Sequence, residues 1–97
     1  MIAARFVLYA EGELDEAIDF YEMAQPGFGR TFAGAVQRTV DRIRSFPEFG
    51  KSLGGSVRTT AVPHFPFSVV YRVDRAEVVV LAIAHQRRRP GYWRNRR

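Results

Sequence analysis

Apolar residues recur along the chain in two rhythms, and each change of rhythm marks an element. The run from Ala3 to Tyr9 is rich in aromatic and branched residues and predicts a short first strand. From about Gly12 to Gln25 the spacing becomes helical: Leu14, Ala17, Ile18 and Tyr21 follow the i, i+3, i+4, i+7 template. Glu13, Glu16 and Asp19 fall on another face, and acidic residues early in a helix oppose its positive N-terminal end. Pro26-Gly27 punctuates the chain. A second helix is predicted from Phe28 to Ser45, with an apolar stripe of Phe28, Phe32, Val36, Thr39 or Val40, and Ile43. Phe46-Pro47 closes it, because a residue before proline disfavours helical backbone.

Residues 48–56 contain three glycines and read as a loop. Beyond them the period is that of strands. Val57 to Val62 alternates, and Phe67–Val73 and Val78–Ala84 are branched and aromatic. The four residues Asp74-Arg75-Ala76-Glu77 between the last two suit a tight antiparallel hairpin. The predicted order is β-α-α-β-β-β with a basic tail. It is an α+β fold in which an N-terminal strand and a two-helix hairpin pack on a small antiparallel sheet.

A length of 97 residues suits one domain spanning residues 1–97. A hydrophobic share of 46% is that of a chain that folds. The chain has no cysteine, which excludes disulfides and thiolate metal sites and fits a reducing compartment. The longest apolar run, Val78 to Ala84, is strand-length and far short of a membrane span. The first residues lack the zones of a secretory signal, so a cytoplasmic protein is the expectation. Charge changes the picture more. Residues 1–50 carry five Arg and Lys against eight Asp and Glu, net −3, whereas residues 51–97 carry ten against two, net +8. Arg87, Arg88, Arg89, Arg94, Arg96 and Arg97 crowd the last eleven positions. A basic half of this kind attracts phosphate backbones or an acidic protein surface; its plainer role is a solvated, solubilising tail.

Taken in order, several short stretches match one family. They are Arg5-Phe6, Glu13-Leu14-Asp15-Glu16-Ala17-Ile18-Asp19-Phe20-Tyr21, Pro26-Gly27-Phe28-Gly29-Arg30-Thr31-Phe32 and Arg42-Ile43-Arg44-Ser45-Phe46-Pro47-Glu48. The longest runs from Phe65-Pro66-Phe67-Ser68-Val69-Val70-Tyr71-Arg72-Val73 into Val80-Leu81-Ala82-Ile83-Ala84-His85-Gln86-Arg87-Arg88-Arg89-Pro90-Gly91-Tyr92-Trp93. Over nearly its whole length the chain resembles the RelE/ParE superfamily of type II toxins. The resemblance implies a toxin that arrests growth and is neutralised by a small cognate antitoxin, with an apolar groove and the basic half receiving it. DNA would be met only through the antitoxin; no membrane partner and no cofactor are implied. The target differs between branches: ParE-like members inhibit DNA gyrase, and RelE-like members cut mRNA on the ribosome. Fold alone does not separate them.

A metal-free ribonuclease needs a base for the 2′-OH, cations for the phosphorane and a donor for the leaving oxygen. For a RelE-like site the candidates are His85, because imidazole is the side chain suited to proton transfer at neutral pH, with Arg88 and Tyr92. The plain role of His85 is to end its strand and cap a turn through a backbone hydrogen bond. Arg58, Arg72, Arg87, Arg89 and Trp93 are candidates for contact with the target. Arg58 also fits a structural arginine of both branches, and Trp93 folds the tail over the core if its indole is to leave water. His64, between Pro63 and Phe65-Pro66, is structural in its turn. One departure weighs against cleavage. The resemblance to RelE-like nucleases implies an arginine, usual in them on the middle strand, where this chain has Ser68, and Lys51 is the chain's only lysine. The ending Ala84-His85-Gln86-Arg87 resembles ParE-like toxins, with residues 12–45 as further recognition surface. Gyrase inhibition is therefore favoured, with mRNA cleavage the alternative and a degenerate toxin that only binds its antitoxin the second.

Overall fold

The computed structural model describes residues 1–96. The elements are β1 (Ala3–Phe6), α1 (Leu8–Ala24), α2 (Phe28–Ser45), β2 (Lys51–Gly54), β3 (Val57–Ala61), β4 (Phe67–Asp74) and β5 (Glu77–His85). They form an α+β fold with one sheet in the order β1-β5-β4-β3-β2. β1 lies parallel to β5 and the other neighbours are antiparallel, so the sheet is mixed. The two helices pack against it through Phe32, Ala35, Val36, Val40 and Ile43 of α2, all buried, and Ala10 and Ala17 of α1. Among the described residues no helix is long and apolar enough to cross a membrane.

α1 begins at Leu8, earlier than the sequence pattern suggests. Val7 stays extended and donates its N–H to Val80 O at 3.0 Å, ending the strand, while its own carbonyl takes the Glu11 N–H and starts the helix. Leu8 and Tyr9 read as strand residues, yet they stand 81% and 69% exposed on the first helical turn. At the other end Gln25 donates to Tyr21 O, and Gly27 takes a left-handed φ of 89° that turns the chain into α2. Glu22 serves as the anionic cap of α2, accepting the N–H groups of Gly27 and Gly29 at 2.9–3.1 Å. A side chain at Gly29 would meet Ile18 O at 2.7 Å, so its glycine lets the hairpin close.

The loop expected at residues 48–56 contains strand β2. Its polar, glycine-rich sequence has no alternation of its own, and pairing with β3 makes it a strand. The Tyr71 hydroxyl anchors its start, donating to Pro47 O at 2.7 Å and accepting the Gly50 N–H at 3.0 Å. Arg58 adds hydrogen bonds to Gly50 O at 2.8 Å and Glu48 O at 3.3 Å.

Alternation along β4 sends Phe67, Val69 and Tyr71 toward the helices. Phe67 there joins an aromatic cluster with Tyr21, Phe32 and Phe65, centroids 4.9–6.2 Å apart. Ser68, Val70 and Arg72 take the opposite face. β5 lies between β1 and β4 and is buried from Val78 to Ile83. Its register against β4 slips at Leu81, where Val70 pairs Ala82 but Tyr71 pairs Val80. This bulge leaves Leu81 out of the ladder.

Candidate functional site

β5 delivers His85 to the far end of the sheet, where the chain turns sharply. Gln86 N–H donates to Pro66 O, and Arg88 N–H donates to His85 O, each at 2.9 Å. Residues 86–96 then fold back in short turns, and Trp93 is buried at 6% exposure. The indole carries the tail onto the core, while Arg87, Arg88 and Arg89 remain exposed.

Two shallow clefts flank this segment. One of about 210 Å³ lies against α1 and is lined by Glu13, Glu16, Phe67, His85, Arg88 and Tyr92 among others. The other, about 270 Å³, lies on the opposite face of the sheet, with Ser68, Val70, Ala84, Arg88, Arg89 and Trp93 among its walls. His85, Arg88 and Tyr92 line both. The Arg88 guanidinium sits over the Tyr92 ring at 3.8 Å from its centroid, a close cation–π stack.

Other candidates lie apart. Arg58 spends its guanidinium on the carbonyls of residues 48 and 50. Arg72 shares the Ser68 face by strand parity but lines neither cleft. Arg87 lines neither as well. Ser68 does face the tail-side cleft, so its lack of charge is felt there.

The hydrogen bonds limit the chemistry. His85 Nδ1 accepts the Arg87 N–H at 3.0 Å, which in a neutral ring leaves the proton on Nε2. Neutral His85 then offers a donor to the cleft and no free lone pair. Burial first, then the hydrogen bond and negative charge of Glu13, push the Tyr92 phenol well above its ordinary value near 10, while Arg88 and Arg96 pull it down. The phenol stays protonated at neutral pH. The surface offers cations and an aromatic, with the carboxylates of Glu13 and Glu16 in the same cleft and the His85 Nδ1 lone pair already engaged.

The family model described as ParE toxin of type II toxin-antitoxin system, parDE, matches residues 5–90. The chain belongs to this ParE family. A solved structure titled as the chromosomal ParDE system of P. aeruginosa superposes on it with a TM-score of 0.63. At 24% identity it covers 88% of this chain and 96% of that chain, and that likeness is one of fold. No curated protein matches the chain. The match with the ParE model includes His85, Arg88 and Ser68 and stops at Pro90, short of Tyr92 and Trp93.

Sequence reasoning missed the group that organises this ParE chain's tail. Glu13, read as an early acidic helix residue, accepts four hydrogen bonds. They come from Ile83 N–H at 3.1 Å, Tyr92 OH at 2.7 Å, and Arg96 NH1 and NH2 at 2.9 and 3.2 Å. No local motif announces a pair separated by 83 positions.

A larger groove of about 500 Å³ opens beside α2. Its walls include Phe28, Arg38, Arg42, Phe49, His64 and Phe65. Arg42 lies 5.5 Å from the Phe49 ring centroid. His64, at a φ of 71°, holds the turn at its rim.

Proposed function

We propose that this ParE-family chain arrests growth by inhibiting DNA gyrase and that a cognate antitoxin neutralises it. One observation supports the choice of target: the imidazole of the basic surface has its Nδ1 lone pair already engaged. His85 Nδ1 is engaged by the Arg87 N–H, Tyr92 holds its proton, and an uncharged serine stands at position 68 where an RNA-cutting relative would place an arginine. Arg88 and Arg89 then act as contacts to an acidic protein surface, with Arg87 beside them. The antitoxin takes the 500 Å³ groove, whose three phenylalanines suit apolar anchors and whose Arg38 and Arg42 suit acidic ones.

Induction of the chain without its antitoxin tests both targets at once. Growth arrest with relaxed plasmids and a DNA-damage response is the expected result. Codon-phased mRNA cuts, lost in His85→Ala or Arg88→Ala, would establish the RelE-like reading instead, which the shared cleft of His85, Arg88 and Tyr92 favours. Unchanged growth would leave a degenerate toxin. For the antitoxin, Arg38→Glu/Arg42→Glu is expected to weaken the complex at least tenfold, measured by calorimetry. Wild-type affinity in that variant would move the docking site elsewhere.

A further inference from the structure

β1 accompanies β5 only from Glu77 to Val80. Past that point no strand among the described residues lies beside β5 on the β1 side, and backbone groups there must find other partners or meet water. Two side chains supply them. Ile83 N–H donates to the Glu13 carboxylate, and the carbonyl of the bulged Leu81 accepts Arg96 NH1 at 3.0 Å. Glu13 comes from α1 and Arg96 from the tail, and they pair with each other at 2.9 Å with side chains only 15% and 13% exposed. Together they finish the edge that β1 leaves open. The same carboxylate fixes Tyr92, and Tyr92 carries the stacked Arg88. Arg96 also lies 5.0 Å from the Tyr9 and Tyr92 ring centroids, on α1 and in the tail respectively.

From this chain of contacts we infer that Glu13 is a positioning residue of the basic surface. It acts through Tyr92 and Arg96 to hold residues 86–96 in the one arrangement that presents Arg88 to the target. The inference rests on the reading that this surface meets the target, and it extends that reading to a residue on α1 that faces away from solvent. A carboxylate suits the role because it alone accepts from a backbone N–H, a phenol and a guanidinium together. Glutamine keeps the shape but loses the charge and turns an amide N–H₂ toward donors.

The test uses the full chain and reads the tail and the target separately. Trp93, the only tryptophan, reports the tail directly. In Glu13→Gln its emission is expected to move to longer wavelength, its iodide quenching to rise at least twofold, and the Ile83 amide to exchange at least tenfold faster. Far-UV circular dichroism should stay that of the wild type. Inhibition of gyrase should need at least tenfold more protein, with Glu13→Asp recovering part of the loss. Asp74→Asn, which makes the same charge change at the distant β4–β5 turn, should match the wild type in every measure. Tyr92→Phe removes one hydrogen bond and should give a smaller version of the Glu13→Gln response, which covers the case in which that variant fails to fold. Wild-type quenching and exchange in Glu13→Gln and Tyr92→Phe would overturn the inference. So would a loosened tail with undiminished inhibition. A wild-type chain that leaves gyrase untouched would refute the target instead, and the variants would then be scored by growth arrest on induction. Equal arrest by wild type and Glu13→Gln would overturn the positioning role there.

Discussion

Tyr71 is fully buried, and its hydroxyl has two backbone partners, Pro47 O and Gly50 N–H. Replacing it with phenylalanine leaves both without the bond they had, a loss of about 1–3 kcal/mol for groups away from water. A lower denaturation midpoint in urea with an unchanged slope is the expected result for Tyr71→Phe. Tyr92 makes a different prediction. Its folded pKa lies above the ordinary 10, so the native state keeps a proton that the unfolded chain gives up first. Its contribution to stability is fully present below pH 10 and is lost as pH rises through the folded value. The charges around it are Glu13, Arg88 and Arg96. Trp93 fluorescence should therefore show an alkaline transition of the tail that Tyr92→Phe lacks. Tyr21 and Tyr71 are raised as well, by burial, and the indole separates the tail from their effect. At this scale the sequence was partly readable. That His85, Arg88 and Tyr92 come together at one cleft was legible because imidazole, guanidinium and phenol stand close together at the end of a strand. Glu13 did not, because its partners come from Ile83, Tyr92 and Arg96 and meet it only in the folded chain.

Among the elements, strong periodicity translated directly and weak periodicity did not. The stripe of α2 predicted its buried face, and Phe32, Val36, Val40 and Ile43 are all in the core. The strands β4 and β5 and their hairpin also lie where branched residues placed them. β2 escaped because its four residues are all exposed and owe their conformation to the neighbour. The start of α1 escaped because exposed Leu8 and Tyr9 imitate strand residues. The hairpin turn yields a prediction of its own. Arg75 and Ala76 both adopt positive φ, at 52° and 61°, a region that costs residues with a Cβ about 1–2 kcal/mol. Ala76→Gly removes much of that strain. A gain of about 1 kcal/mol would raise the melting temperature by roughly 4–8 °C in a domain of this size. Calorimetry showing no gain would mean that the rest of the turn already compensates.

Across the whole molecule the charge is divided as the sequence is. The acidic residues of α1 lie on the helical side, and Arg87, Arg88, Arg89 and Arg94 after β5 stand exposed at the far end of the sheet. An association led by those arginines should slow as salt rises, since screening shortens from about 30 Å at 0.01 M to about 8 Å at 0.15 M. In the proposed function this surface binds a protein target and cuts nothing. The supercoiling activity of purified DNA gyrase, titrated with purified wild-type chain and with Arg88→Ala/Arg89→Ala, addresses it most directly. Inhibition by the wild type, weakened at least tenfold in the double variant, is the predicted result. Full supercoiling at saturating wild-type protein would contradict the claim.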